Sequence, residues 1–291
     1  MMRTVKFILV TLVAAVLTGC GSTSTVPVTG RKQTLMVSDG DMLSLSSQQY
    51  QQYMQTAKAS TNATNTAMVK RVGQNLANAV TTYLQNNGYA SEVANFAWEF
   101  NLVQDQQVNA WCMPGGKIVV YEGLIPVTQN EASLAIVLGH EIAHAVAKHS
   151  AERISKEYKN QYGVAILSAA TQAAGVSAGT QQLIDLVQQV GGSLLTSGFS
   201  RKQESEADHM GLIFAAIAGY DPNVATSFWE RMAAQGSGSG GLFSDHPSDE
   251  KRISDIQKWM PEALRYYKGG SSTQQATPAK STRTLRVSTK K

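Results

Sequence analysis

The amino-acid sequence predicts a mainly helical α+β fold in which a small β-sheet lies beside a long apolar helix. Apolar residues recur at helical spacing over 41–59 and 66–85, which predicts two packing helices. Three short segments between residues 96 and 123 are rich in β-branched and aromatic residues and predict strands. The helical pattern that follows carries two histidines four residues apart.

The first 19 residues have the composition of a secretory signal. Arg3 and Lys6 precede an apolar run from Phe7 to Leu17, and the tetrapeptide "LTGC" ends at Cys20. Eleven apolar residues are too few to span a bilayer. The pattern predicts cleavage before Cys20 and acylation of that cysteine, with a plain signal peptide or an uncleaved anchor as the alternatives. By similarity to bacterial sorting rules, the lack of an aspartate after the cysteine indicates the outer membrane, with the chain facing the periplasm.

The remaining chain divides into three predicted parts. Residues 20–38 contain many turn formers and predict a lipid-anchored tether, 39–268 a folded domain, and 269–291 a disordered basic tail. Removal of residues 1–19 takes two basic residues and no acidic ones, leaving 23 basic against 21 acidic residues. This near-neutral balance, without an arginine-rich helix or a basic aromatic patch, argues against a nucleic-acid partner.

Cys112 is the only other cysteine, so a domain with Cys20 acylated forms no internal disulfide. The apolar residues around Cys112 predict a buried small side chain and not a reactive thiol.

The predicted strands are 96–103, 107–113 and 116–123, with a turn at Pro114 and Gly115 between the last two. A capping box from Thr128 to Glu131 predicts the start of the next helix. Glutamine and serine interrupt the apolar runs of 163–197, which predicts two covering helices and not membrane spans.

Later helices are marked by local signals. Ser200 begins one, with Gln203 at the capping-box position, and it ends at Gly219. Asp221 and Pro222 predict a helix over 222–234. A glycine-rich loop over 236–241 leads to a last helix that begins at Pro247.

The sequence "GHEIAHAVAKH" at residues 139–149 carries the clearest chemical signal. At about 100° per residue, His140 and His144 lie about 40° apart on one helix face, so both imidazoles can reach one ion. Glu141 lies at the edge of that face. This H-E-x-x-H spacing is typical of two zinc-binding histidines with a glutamate that takes a proton from water. His149 lies about 180° from His140 on the same helix and is predicted to be structural.

Zinc of this kind requires a third protein ligand. The segment "RKQESEADHMG" places Glu204 and Asp208 one turn apart, with Glu206 about 200° away from Glu204. We predict that Glu204 is the ligand and that Asp208 fixes the tautomer of a liganding histidine. His209, about 140° from Glu204, is predicted to be structural.

Four segments together resemble the zinc metallopeptidase family M48, which includes the heat-shock protease HtpX and the CAAX prenyl protease, and in particular its small periplasmic lipoprotein members. They are "GHEIAHAVAKHS", "SRKQESEADHMG", "NAWCMPGGKIVVYEGL" and "DHPSDEKRI". The resemblance implies a zincin-like fold of the gluzincin type with one Zn²⁺ per chain on His140, His144 and Glu204. It implies general-base catalysis by Glu141, and it places His246 and Arg252 facing the site.

Two assignments keep alternatives. His246 either steadies an oxyanion, occupies the open position of zinc, or caps the helix that Pro247 begins. The strand "GKIVVYE" is either a plain edge strand or an edge that pairs with an extended substrate. On the second interpretation the substrate is bordered by the backbone and side chains of one hairpin: Asn109, Gly116, Lys117, Ile118 and Val119.

The predicted function is a membrane-anchored zinc metalloendopeptidase whose substrates, as the resemblance implies, are misfolded or unfolded cell-envelope proteins. A second function is an envelope assembly factor or chaperone-like protein with latent or structural zinc. The intact Glu141 and the lack of a C-terminal helical repeat argue against it. A third, prenyl-peptide processing, lacks the membrane chamber that the resemblance implies for it.

Overall fold

The computed structural model describes residues 22–169, 198–234 and 250–269. Its strands are β1 (Ser22–Thr25), β2 (Lys32–Leu35), β3 (Glu99–Val103), β4 (Ala110–Met113) and β5 (Lys117–Tyr121). Its helices are α1 (Asp39–Thr56), α2 (Ala63–Asn86), α3 (Ile125–Thr128), α4 (Glu131–Val146), α5 (His149–Ala169), α6 (Arg201–Ile217), α7 (Val224–Ala234) and α8 (Glu250–Tyr266). The predicted mainly helical α+β fold is confirmed.

Some predicted features lie outside the described residues. They are the signal segment 1–19 with Cys20, the part of the predicted hairpin over 170–197, the loop 236–241, the helix start at Pro247 and the tail from 270 onward.

The segment predicted as a tether is part of the folded domain. β1 and β2 pair as an antiparallel hairpin, with Ser22 opposite Leu35. The hairpin buries Val26 and Leu35, and the side-chain amide of Gln33 donates to the carbonyl of Ala147 at 2.9 Å. The tether prediction is therefore wrong for residues 22–37. Turn formers such as Pro27 and Gly30 mark the hairpin turn and not an extended linker.

The first two long helices lie within a few residues of their predicted positions. Ser38 caps α1 by accepting from the N–H of Asp41, and Asn62 caps α2 by accepting from the N–H of Asn65. Both side chains satisfy an N–H group that a helix start leaves without an intrahelical partner.

The three-stranded sheet has the order β3-β5-β4, with β3 parallel and β4 antiparallel to β5. One face, with Phe100, Ile118 and Val120, joins the main core of α2, α4 and α6. The other face, with Trp111 and Val119, is covered by Tyr50 and Tyr53 of α1. Because helices cover both faces, the middle of the central strand, Ile118 to Val120, is a continuous buried apolar run and does not alternate.

Helix α4 starts later than its capping box predicted. Asn130, not Thr128, caps it by accepting from the N–H of Ser133. Thr128 ends the short helix α3, and Gln129 has a left-handed φ of 64° that separates the two helices. The capping-box prediction was wrong because Thr128 already belongs to the preceding short helix α3 and is not free to cap α4.

The second half of the core is formed by α6 and α7, which pack on α4, and by α8, which packs on α6 and α7. The Ser200–Gln203 capping box at the start of α6 is confirmed, with both reciprocal hydrogen bonds present. Residues 163–169 continue α5, which begins at His149, instead of starting a separate helix. Among the helices of the described ranges, none combines the length and apolarity needed to cross a membrane.

Candidate metal centre

Three buried side chains on α4 and α6 direct their ligand atoms to one point. His140 Nε2 lies 3.0 Å from His144 Nε2, and the Glu204 carboxylate oxygens lie 3.5 Å from each of these nitrogens. Zinc bonds of about 2.0–2.2 Å in a tetrahedral arrangement separate neighbouring ligand atoms by about 3.3–3.5 Å. The two imidazoles and the carboxylate therefore fit a zinc ion, and among the described residues this is the group of three with that geometry.

Two glycines allow the helices of the cluster to touch. A Cβ on Gly139 of α4 would lie 2.7 Å from the carbonyl oxygen of Gly211, and one on Gly211 of α6 would lie 2.6 Å from the amide nitrogen of His140. Only residues without a Cβ permit this approach of two backbones. The crossing brings Glu204 of α6 against the histidines of α4.

The Nδ1 side of His140 is held by a carboxylate. Asp208 Oδ1 lies 2.8 Å from His140 Nδ1, which leaves Nε2 with its lone pair toward the cluster. Burial lowers the pKa of His140, but the charge of Asp208 and its hydrogen bond raise that pKa to about 9. The surroundings of the cluster therefore favour positive charge, as a cation site requires.

Arg252 of α8 contacts the carboxylate that holds His140 and lies near the carboxylate of the cluster. Its Nη2 donates to Asp208 Oδ1 at 2.6 Å and lies 3.2 Å from His140 Nδ1, and its guanidinium carbon stacks 3.4 Å from the centre of the Trp229 ring. Its Nη1 also lies 3.8 Å from Glu204 Oε2, the oxygen that lies near His140 Nε2. Arg252 therefore borders the candidate metal cluster, and its bond to Asp208 indicates that it orients that carboxylate.

His149 was predicted to be structural because it would lie about 180° from His140 on one helix, and only this placement is wrong: His149 is not in the metal cluster, but it lies beside it. The helix ends at Val146, and Lys148 takes a left-handed φ of 56° before α5 begins at His149. This break turns His149 back, so that its Nδ1 lies 2.9 Å from His144 Nδ1. An azimuth counted along one continuous helix does not apply across such a break.

The other ring nitrogen of His149 reaches Glu206, at 3.1 Å from Oε2. Burial alone would raise the pKa of Glu206. The hydrogen bonds from His149, Arg31 and Thr29 outweigh burial and lower this pKa to about 2. Glu206 points away from Glu204 as predicted, and it is nevertheless connected to the second histidine of the cluster.

Glu141 is buried on the side of α4 that faces β4. Burial, and then the charge of Glu141, raise the pKa of the Cys112 thiol, so the carboxylate lies close to that strand. A raised pKa keeps Cys112 as a thiol, in agreement with its prediction as an unreactive residue.

The edge strand beside the cluster is β4 and not the predicted β5. β5 is the central strand, and Ile118 and Val119 are completely buried. A Cβ on Gly116 would collide with Trp98 at 2.4 Å, so the glycine serves packing of that ring. The side chain of Lys117 donates to the carbonyl of Ala97, which lies just before β3. The prediction that β5 receives a substrate strand is therefore wrong, because strand order is a non-local property.

The backbone of β4 alternates between its partner strand and its outer edge. The Asn109 carbonyl accepts from the N–H of Tyr121, so Ala110 and Cys112 direct their backbone groups away from β5. The N–H of Ala110 donates to the side-chain oxygen of Asn109 at 2.9 Å. Within the residues that the structure describes, no other strand pairs with this edge.

Two predicted site residues, His246 and Cys20, lie outside the described residues. His209 stacks on Trp259 and lies 2.8 Å from Glu262, away from the cluster. Sequence reasoning did not identify Gly139, Gly211 or the contacts of His149. The glycines could have been noticed because Gly139 directly precedes His140 and Gly211 lies three residues after Asp208.

Comparisons with known proteins agree with this geometry. The family model described as "Peptidase family M48" matches residues 63–260. The mitochondrial metalloendopeptidase OMA1 of Schizosaccharomyces pombe is 41% identical over 180 residues, covering 60% of this chain and 50% of the relative. The human metalloendopeptidase OMA1 is 26% identical over 248 residues, covering 82% of this chain and 46% of the relative.

A bacterial relative, the beta-barrel assembly-enhancing protease of Escherichia coli O157:H7, is 28% identical over 170 residues, covering 55% of this chain and 34% of the relative. The chain thus spans about half the length, or less, of the curated relatives it matches. The family match includes the cluster of His140, His144 and Glu204 and covers more than half of the sequence. The chain belongs to peptidase family M48.

Proposed function

We propose that the chain is a zinc-dependent metalloendopeptidase that cleaves extended polypeptides. The observation that carries this proposal is the convergence of His140, His144 and Glu204 next to Glu141, on a helix that packs against β4, an edge strand of the sheet among the described residues. A site for one metal ion, a carboxylate that can accept a proton and a strand edge that can pair with substrate together are what hydrolysis of a peptide backbone requires.

The zinc would be held by the Nε2 atoms of the two histidines and by the Glu204 carboxylate. Zinc bound there supplies a Lewis acid for the scissile carbonyl and the attacking water. Glu141 takes a proton from that water and passes it to the leaving amine. Asp208 keeps His140 in the tautomer that presents Nε2, and Arg252 holds Asp208 in place.

The substrate class follows from β4. A strand edge accepts only a chain that is already extended, and a folded protein offers few such segments. We therefore propose misfolded or unfolded cell-envelope proteins as substrates and quality control as the role. Acylation of Cys20 would anchor the chain to a membrane, and the signal pattern favours the periplasmic face of the outer membrane.

The test uses the purified full-length chain in mild detergent with unfolded casein as substrate. We expect Glu141→Gln to retain one zinc per chain and to lose cleavage by roughly 10²–10⁴-fold, because only the proton acceptor is removed. Gel electrophoresis measures cleavage, and atomic absorption measures zinc. Glu131→Gln is the matched control, since Glu131 lies in the first turn of the same helix and pairs with Arg71 at the surface.

Cleavage by the wild type and by Glu131→Gln, but not by Glu141→Gln, supports the proposal. Full zinc content without cleavage in the wild type would contradict it and would favour the assembly-factor function. Equal cleavage by Glu141→Gln would remove Glu141 as the general base.

A further inference from the structure

The two histidines of the metal cluster are held by carboxylates that they reach in different ways. His140 bonds directly to Asp208, whereas His144 reaches its carboxylate through a second histidine. The links run from His144 Nδ1 to His149 Nδ1 at 2.9 Å, and from His149 Nε2 to Glu206 Oε2 at 3.1 Å. Both histidines and the carboxylate are buried, so water does not compete for these bonds.

The hydrogen bonds that Glu206 accepts determine which ring nitrogens of His149 and His144 carry protons. Glu206 accepts from Arg31 Nε at 2.8 Å and from Thr29 Oγ1 at 2.5 Å, so it serves as an ionised acceptor. His149 must then donate through Nε2 and accept through Nδ1. His144 in turn donates through Nδ1, which leaves the lone pair of Nε2 directed at the cluster.

The series of hydrogen bonds that starts at His144 ends at the N-terminal hairpin, β1–β2. Arg31 directly precedes β2 and binds both Glu206 and Glu152, the latter through two hydrogen bonds of 2.9 and 3.0 Å. Gln33 of β2 donates to the carbonyl of Ala147, the C-cap residue that follows α4. The hairpin thus contacts α5 and α6 through Arg31, and the end of α4 through Gln33.

The position of His149 is also fixed from its other side. Lys148, at the break between α4 and α5, pairs with Asp39 and Glu92, each at 2.8 Å. The ring of Phe199 stacks on His144, with centroids 3.9 Å apart. These contacts leave the imidazole of His149 little freedom to turn away from His144.

We propose that the hairpin of residues 22–35 is a positioning element of the metal centre, in which Arg31 acts through Glu206 and His149 on His144. We name the bonded residues Arg31, Glu206, His149 and His144 the positioning chain. Its task is to hold His144 in the tautomer and orientation that a metal ion requires. The inference rests on the proposed function only in that zinc binds at this cluster.

A purely structural ion-pair network would look similar, and two properties separate the possibilities. Groups that orient a metal-bound histidine alter metal affinity by about 10–100-fold when they are removed. They also change the environment of the metal, whereas a network that only stabilises the fold leaves it unaltered in protein that remains folded.

The first experiment compares Arg31→Gln with Lys32→Gln in the full-length chain. Lys32 is the next residue of β2 and is exposed, so its change removes the same charge without touching the positioning chain. Zinc affinity is measured by competition with a chromogenic chelator, and folding is checked by circular dichroism with excess EDTA. We expect Arg31→Gln to bind zinc roughly ten times more weakly than wild type. The zinc affinity of Lys32→Gln should equal that of wild type.

The second experiment uses His149, where a conservative replacement exists. A glutamine side chain carries one acceptor and one donor group and can make both bonds of the imidazole, whereas leucine can make neither. We expect His149→Leu to lose about 10–100-fold in zinc affinity and His149→Gln to recover a large part of it. The visible spectrum of the Co²⁺-loaded protein should shift in His149→Leu and return toward wild type in His149→Gln.

Equal zinc affinity and equal Co²⁺ spectra in wild type, Arg31→Gln and His149→Leu would overturn the inference. If Arg31→Gln does not fold, the comparison of the two His149 variants decides it. Failure of the wild type to bind zinc at all would instead contradict the proposed function. The readout is metal binding and not proteolysis, so the two failures are distinguishable.

Discussion

The carboxylates behind the metal cluster are each matched by an arginine. Arg252 binds Asp208 beside His140, and Arg31 binds both Glu206 and Glu152 at the hairpin. Burial lowers the pKa of Arg31, but the two carboxylates raise it above its ordinary value. Buried charges in this part of the protein are therefore held as bonded groups and not as isolated ions, as their desolvation demands.

The pKa shift of Glu152 predicts how stability depends on pH. Burial raises the pKa of Glu152, but hydrogen bonds and charges from Arg31 and Lys156 lower it below its ordinary value. A lowered folded-state pKa means that Glu152 stabilises the protein above the pKa of an unfolded glutamate, about 4.3, and that this contribution is lost as the pH falls below it.

We expect Glu152→Gln to reduce the free energy of unfolding by about 1.5–3 kcal/mol at pH 7, since bonds to a charged group are removed. The difference from wild type should shrink as the pH falls from 5 toward 3. Urea unfolding at several pH values measures it. Glu157→Gln, on the same helix and half exposed, should show little effect at any pH. A difference that stays constant across this range would contradict the assignment.

At the scale of elements, the contact between α4 and α6 determines whether the proposed metal ligands meet. Gly139 and Gly211 face each other at that crossing, and the atoms that a new Cβ would meet belong to the backbone. Backbone atoms do not move aside as the end of a flexible side chain does. The distance between the two helices is therefore set by the absence of two methyl groups.

Gly211→Ala should separate the helices and cost about 1–3 kcal/mol of unfolding free energy, the typical cost of overpacking. Zinc affinity should fall as well, because Glu204 moves away from the histidines. Gly40→Ala is the control, since its Cβ would meet only Ser38 Oγ at 3.8 Å and helix formation favours alanine by about 0.5–1 kcal/mol. Unfolding and zinc competition are the measurements. Wild-type zinc affinity in Gly211→Ala would show that the crossing has room.

At the scale of the whole molecule, the folded domain begins close to the proposed lipid. The hairpin starts at Ser22, so one residue separates its first strand from Cys20. A single residue spans only about 3.5 Å. With Cys20 acylated, the domain would lie against the membrane surface instead of being lifted from it by a tether.

This arrangement predicts incorporation of labelled palmitate into the wild-type chain in a bacterial host. We expect Cys20→Ala to lose the label completely, because acylation of the chain requires that cysteine. Cys112→Ala, which changes the only other cysteine, should keep it. The measurement is the label in the protein band after electrophoresis. A wild type without label, or label retained by Cys20→Ala, would remove the lipid anchor from the proposal.

Local sequence patterns were sufficient to predict several features of this protein. The four-residue spacing of His140 and His144 on a helix and the capping box at Ser200 follow from interactions within one or two turns, and both were predictable. Glu204 was also identified, because a third ligand must come from a helix with carboxylates on one face. Such features depend on neighbours along the chain, and the sequence lists those neighbours directly.

Tertiary structure decided the rest. The central place of β5, the break that turns His149 onto His144 and the docking of Arg31 against Glu206 each join residues distant in sequence or depend on what packs around them. Strand order follows from which edges other elements cover, and a left-handed Lys148 is tolerated because two ion pairs hold it. The amino-acid sequence alone therefore determined the three residues of the candidate metal cluster and most local starts of helices. Only the fold decided what orients those residues and which strand packs against their helix, because those contacts depend on long-range packing.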